Sequence, residues 1–212
     1  MFDWAFAEGA PNTSSRKVLF CHVYSTLLDF FKALMVSYMS FAWQTFLEHL
    51  HTFASDDVDD GRLWLSILQT ISKSIAMDED RVFWRNDKLR QLQPLVIQQI
   101  PVATRISVPG SKSAVSECLI AILSLVDNDA MAKSLNLDVL LYSRSDEVRV
   151  RLFSVSCAEQ LWRAHGERLL GFVAETATFI AEAAEDENDL VVQEAHRLKG
   201  VVESVGGSIE IS

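Results

Sequence analysis

Ser145-Asp146-Glu147-Val148-Arg149-Val150-Arg151-Leu152 and Asn188-Asp189-Leu190-Val191-Val192-Gln193-Glu194-Ala195 are two openings of one kind. Each passes from a side chain able to cap a helix, through acidic residues suited to the positive end of the helix dipole, into apolar residues at helical spacing. Val191 follows Val148 by 43 residues, and the same shift sets Asp189 over Asp146, Ala195 over Leu152 and Leu198 over Val155. After the first opening, Val148, Leu152, Val155, Cys157, Ala158, Leu161 and Trp162 share a helical face, while Arg149, Arg151, Glu159 and Arg163 fall mainly on the other. Gly166 is expected to stop that helix. Leu169, Leu170, Phe172, Val173, Ala177, Phe179, Ile180 and Ala183 predict a return helix within Glu167 to Glu185. Glu185-Asp186-Glu187-Asn188-Asp189 then reads as a solvated turn capping a third helix.

Helix, antiparallel helix and acidic turn within 43 residues is the period of HEAT repeats. One such pair cannot bury its apolar stripe alone, so the units must stack. The predicted fold is therefore all-α, a HEAT-repeat α-solenoid of antiparallel helix pairs. Composition agrees: 49% of the 212 residues are hydrophobic, and only four prolines and eight glycines interrupt the helical texture.

Working outward, residues 1–212 are expected to form a single C-terminal HEAT-repeat domain, a fragment of a longer solenoid. Residues 1–15 read as the end of a preceding helix and a loop, with an apolar edge at Phe2, Trp4 and Phe6. Residues 16–100 carry the first helical pairs, with helices near 16–31, 34–53, 63–77 and 87–99. The second of these holds Tyr38, Phe41, Trp43, Phe46 and Leu50. Pro101 and Pro109 bound an irregular loop, 101–112, because each removes an amide that a helix interior needs. Residues 113–205 hold the last repeats, and 206–212 a loose tail after Gly206-Gly207.

A net charge of −10 argues against a general phosphate-binding groove. Six cations make the candidate interaction surface: Arg144, Arg149 and Arg151 around one helix start, and Arg85, Lys88 and Arg90 further upstream. For the first three, solvated pairing with Asp146 and Glu147 is the plainer reading. Cys21, Cys118 and Cys157 are far apart and set among apolar neighbours, as buried reduced thiols are. The acidic run Asp56 to Gly61 fails the calcium-loop register, since Val58 and Ile67 fall where oxygen ligands belong. His49 and His51 point to opposed sides of a helix and read as surface groups. The five tryptophans, Trp4, Trp43, Trp64, Trp84 and Trp162, read as packed between helices. No phosphate loop, nucleophile elbow or zinc spacing appears, so neither an enzyme nor a bound cofactor or metal is expected. The apolar run Val18 to Phe53 is broken too often by polar groups to span a bilayer, and no membrane or small-molecule partner is expected.

Phe83-Trp84, Pro94-Leu95-Val96-Ile97-Gln98-Gln99, Leu135-Asn136-Leu137-Asp138-Val139-Leu140-Leu141, Ser145 to Arg151, and Glu175-Thr176-Ala177-Thr178-Phe179-Ile180-Ala181-Glu182 with its acidic turn occur in an order that resembles a known family. That order is similar to the C-terminal region of the large HEAT-repeat proteins associated with the U3 small nucleolar RNA. The resemblance implies a non-catalytic scaffold of the small-subunit processome, located in the nucleus and nucleolus. It implies a part in ribosome biogenesis through pre-rRNA processing and 18S rRNA maturation, with a link to rDNA transcription. The implied partners are other subunits of the early-binding subcomplex. U3 snoRNA and the pre-rRNA leader are reached through the assembly rather than directly by these residues. HEAT repeats also build nuclear-transport and phosphatase scaffolds, which is the alternative reading.

Overall fold

The computed structural model describes residues 1–7, 9, 11, 13–55 and 60–206. Among these there is helix and no strand, and the all-α HEAT class is borne out. The described chain groups into two compact units, residues 1–125 and 126–212.

The first unit holds α1 (Phe2–Phe6), α2 (Thr13–Phe31), α3 (Ala33–Val36), α4 (Met39–Ser55), α5 (Gly61–Ala76), α6 (Asn86–Ile97), α7 (Gln99–Arg105) and α8 (Ser111–Leu125). Side-chain bonds give their directions. Ser14 at the start of α2 donates to Asp60 at the start of α5, Ser25 meets Thr70 at 3.1 Å, and Asp29 meets Lys73 at 2.6 Å, so α2 and α5 run the same way. Across from α5 the chain returns: Trp84 donates its indole N–H to Ser74 and Trp64 donates to Gln99, each at 2.9 Å. Gln99 is fully buried and also donates to the Leu50 carbonyl of α4 at 3.0 Å, which satisfies a costly interior amide.

Asp60 starts α5 by accepting from the amides of Arg62 and Leu63 at 3.0 and 3.2 Å. Asp78, with no exposed surface, accepts from the amides of Val82, Phe83 and Trp84 at 2.7–2.9 Å, and so pins the aromatic pair that begins the return. The core of this unit forms around Trp43, Phe46, Trp64 and Trp84, all 5% exposed or less.

The second unit holds α9 (Asp129–Leu141), a 3₁₀ turn (Tyr142–Arg144), α10 (Val148–Leu169), a second 3₁₀ turn (Leu170–Phe172), α11 (Val173–Ala184) and α12 (Asp189–Gly206). Ser154 donates to the Val139 carbonyl at 2.7 Å and Trp162 to Asn136 at 3.0 Å, so α9 and α10 are antiparallel. Asn136 donates in turn to Thr176 at 2.9 Å. Arg151 near the start of α10 holds Asp186 just before α12, and Gly166 near its end lies against Val205 near the end of α12. The two openings 43 residues apart therefore start parallel helices, with α11 returning between them.

Some local expectations need correction. Pro101 is not the start of a loop: it sits in the first turn of α7, where an intrahelical amide bond is not required, and the irregular chain is confined to 106–110. The helix expected near 34–53 is two, α3 and α4, parted at Ser37–Tyr38. The stop expected at Gly166 falls one residue late: α10 is two helical runs joined across a kink at His165 (φ −142°, ψ 32°), and the second run ends at Leu169. Gly166 also allows close packing, because a Cβ there would stand 2.9 Å from a Val205 methyl. Asp56 to Asp59 and residues 207–212 lie outside the described residues, and with them most of the acidic loop and the tail.

Candidate interaction surface

The six cations singled out in the sequence fall into different surroundings. Arg151 is 8% exposed and bound within its own unit: Nε and Nη2 hold Asp186 at 2.7 and 3.0 Å, and Nη1 donates to the carbonyls of Ser145 and Asp146 at 3.0 and 3.2 Å. The guanidinium holds the Asp186 carboxyl below the usual carboxylate range. Arg144 makes a two-pronged pair with Glu182, both contacts 2.7 Å, over the Phe179 ring at 4.5 Å. The partners expected from neighbouring sequence, the carboxylates of Asp146 and Glu147, are thus replaced by acids on and after α11. Arg149 is exposed.

In the first unit Lys88 lies over the rings of Trp43 and Phe83 at 5.6 and 5.7 Å, while Arg85 and Arg90 are exposed. Cation, ring and stem are here used for packing as much as for charge.

The largest departure from expectation is apolar. Phe30 and Phe31 end α2, Leu34 lies on α3, Tyr38 joins α3 to α4, and Phe41 opens α4; their exposures are 76, 52, 66, 52 and 65%. Tyr38 and Phe41 stack with centroids 6.1 Å apart. Inward positions of the same stretch, Val36, Met39, Ala42 and Trp43, fill the core, so this corner is anchored from below. Trp4 is 46% exposed, unlike the other four tryptophans, and lies under the Arg16 guanidinium at 5.0 Å. The signal available in sequence was the charge pattern: between Asp29 and Glu48 the only ionised side chain is Lys32.

Chemically reactive groups are muted. Cys21, Cys118 and Cys157 are buried free thiols. Burial pushes the Cys21 thiol up to about 12, so the thiol bordering the shallow groove between α2 and α5 stays protonated. His49, expected at the surface, is half-buried against Phe6 and Phe53; burial, reinforced by Lys17 at 3.1 Å, lowers its pKa to about 4. His51 is exposed. Among the described residues no three His, Cys, Asp or Glu side chains gather as metal ligands, and no helix is long and apolar enough to cross a membrane.

Residues 1–84 match the model of the BP28CT (NUC211) domain. The chain is 26% identical over 219 residues to the U3 small nucleolar RNA-associated protein 10 of Chaetomium globosum, covering 99% of this chain and 12% of that one. The protein of the same name from Phaeosphaeria nodorum is 32% identical over 171 residues, covering 77% of this chain and 9% of that one. The HEAT repeat-containing protein 1 homolog of Drosophila melanogaster is 32% identical over 137 residues, covering 64% and 6%. The chain thus spans about an eighth of the length of the first of these relatives. With the BP28CT (NUC211) match at residues 1–84 and similarity along nearly all its length, the chain is a homologue of the C-terminal region of the U3 small nucleolar RNA-associated protein 10 family.

Proposed function

We infer that this chain is a non-catalytic scaffold segment of the nucleolar small-subunit processome, acting in ribosome biogenesis through pre-rRNA processing and 18S rRNA maturation. The observation that carries the reading is similarity over 99% of the chain to a protein named for its association with U3 small nucleolar RNA. Its role is to hold protein neighbours, the other subunits of the early-binding subcomplex, while U3 snoRNA and the pre-rRNA leader are engaged through the assembly. Charge supports that division: the chain carries −10, and Arg144 and Arg151 are both committed to carboxylates of their own unit. The exposed cations Arg85, Arg90 and Arg149 remain candidate contact residues.

The test is to delete residues 145–212 from the full-length protein in cells. Recovery of processome subunits with the tagged protein should fall, 18S rRNA should drop with accumulation of unprocessed leader, and nucleolar localisation of the residual protein should weaken. In parallel, the isolated chain should bind a pre-rRNA leader fragment poorly at physiological salt. Normal subunit recovery with normal 18S rRNA refutes the assembly role, and tight, salt-sensitive RNA binding refutes the protein-contact role.

A further inference from the structure

The corner formed by the end of α2, α3 and the start of α4 exposes five large apolar side chains within twelve residues. At roughly 200 Å² for a large apolar side chain, their exposures leave roughly 600 Å² of apolar surface open. That is the upper end, roughly 600 Å², of what the largest apolar patch of a soluble monomer usually presents. No carboxylate occurs between Asp29 and Glu48, and Asp29 itself is held by Lys73 at 2.6 Å.

We propose that this corner is the face by which two copies of the chain pair. Facing one another, two such corners bury roughly 1,200 Å², the lower edge of specific protein interfaces. The single ionised group on the face, Lys32, has suitable partners on a second copy in the open rings of Tyr38 and Phe41. This chain already places Arg16, Lys17, Lys88 and Arg144 over aromatic rings at 4.5–5.6 Å. Repulsion between two chains that each carry −10 opposes pairing, which gives the association a distinctive sign. Salt screens that repulsion without weakening the apolar contact, so the dimer tightens as salt rises, opposite to an association built on ion pairs.

The experiment is sedimentation velocity on the 212-residue chain across concentration, at low and high salt. The expected result is a shift from the mass of one chain to that of two, at lower concentration when salt is high. The double substitution Phe30→Ser/Phe41→Ser should restore the one-chain mass without changing the helical circular-dichroism spectrum, since both residues are exposed. Because the three native cysteines are buried, an introduced thiol reports alone. Ser40→Cys, exposed on the corner, should form an intermolecular disulfide under mild oxidation, and Ser204→Cys, exposed on α12, should not. One-chain mass at every concentration and salt overturns the proposal and leaves the corner to a different protein. Association undiminished in Phe30→Ser/Phe41→Ser, or equal cross-linking through Ser204→Cys, overturns it as well.

Discussion

Replacing Arg151 by alanine tests how the second unit holds its repeats together. The side chains of Arg151 and Asp186 are 10 and 9% exposed, and the pair joins the start of α10 to the turn before α12. The substitution removes both bonds to Asp186 and both bonds to the carbonyls of Ser145 and Asp146. It leaves the Asp186 carboxylate accepting from the Asn188 amide at 2.9 Å. Breaking a fully buried ion pair costs about 3–5 kcal/mol. This pair lies in the outer shell of its unit, where water screens part of the charge, so a loss of about 2 kcal/mol is expected. For a chain of this size, that moves a urea midpoint by between about 0.5 and 1 M.

The assay is urea unfolding followed at 222 nm, with hydrogen exchange assigning the lost protection to residues 145–206. Asp186→Ala in the same background should restore part of the loss, since the stranded carboxylate is gone and the two changes share one network. Arg144→Ala is the control. It breaks a pair of the same chemistry whose side chains are 51 and 45% exposed, and should leave the midpoint nearly unchanged. Acid provides an independent check. The Asp186 carboxyl titrates below its ordinary 3.8 in the folded chain, so its contribution is complete above that pH and is lost as pH falls through the lower folded value. An Arg151→Ala midpoint equal to that of Arg144→Ala, or strict additivity with Asp186→Ala, refutes the clamp.

Trp162→Ala should destabilise by about 3–5 kcal/mol, as deletion of a fully buried aromatic does; Trp162→Phe should cost about 1–2 kcal/mol by leaving the Asn136 oxygen without its indole donor, both read from denaturation midpoints. For His49, the folded pKa of about 4 lies below the ordinary 6.5, so the unfolded chain binds the proton more tightly; stability should be full above pH 6.5 and fall as pH drops toward 4, and His49→Gln should flatten that limb of the pH–stability curve. Lys32 is held at φ 45°, a conformation costly for a residue with a Cβ, so Lys32→Gly should raise stability by about 1 kcal/mol, where the same change inside α2 would lower it.

The 43-residue recurrence was legible because it needs only the spacing of similar residues, and it correctly made α10 and α12 equivalent. Pro101 was misread for the converse reason: a proline is compatible with a loop or with a first helical turn, and only the restart of the chain at Gln99 decides between them. The exposed corner was missed because apolar periodicity marks which residues are alike without saying which faces meet a neighbour. Phe41 and Trp43 are equally apolar in the sequence, yet one is 65% exposed and the other 5%.

The charged residues carry the more general lesson. Arg144 and Arg151 sit beside Asp146 and Glu147 in the chain, and local reading pairs them there. In the folded unit their carboxylate partners lie 38 and 35 residues away, and Lys133 reaches Glu175 across 42. The first unit does the same: Ser14 with Asp60, Ser25 with Thr70, and Lys73 with Asp29, at separations of 46, 45 and 44. These intervals bracket the repeat length itself. In a stacked helical repeat, the residue across the interface is the one a period later on the equivalent helix, because each unit touches only its neighbours. The same period that predicts the fold also predicts where a polar group must look for its partner. An acid adjacent in sequence, at a helix start, is turned toward its own amides or toward water instead.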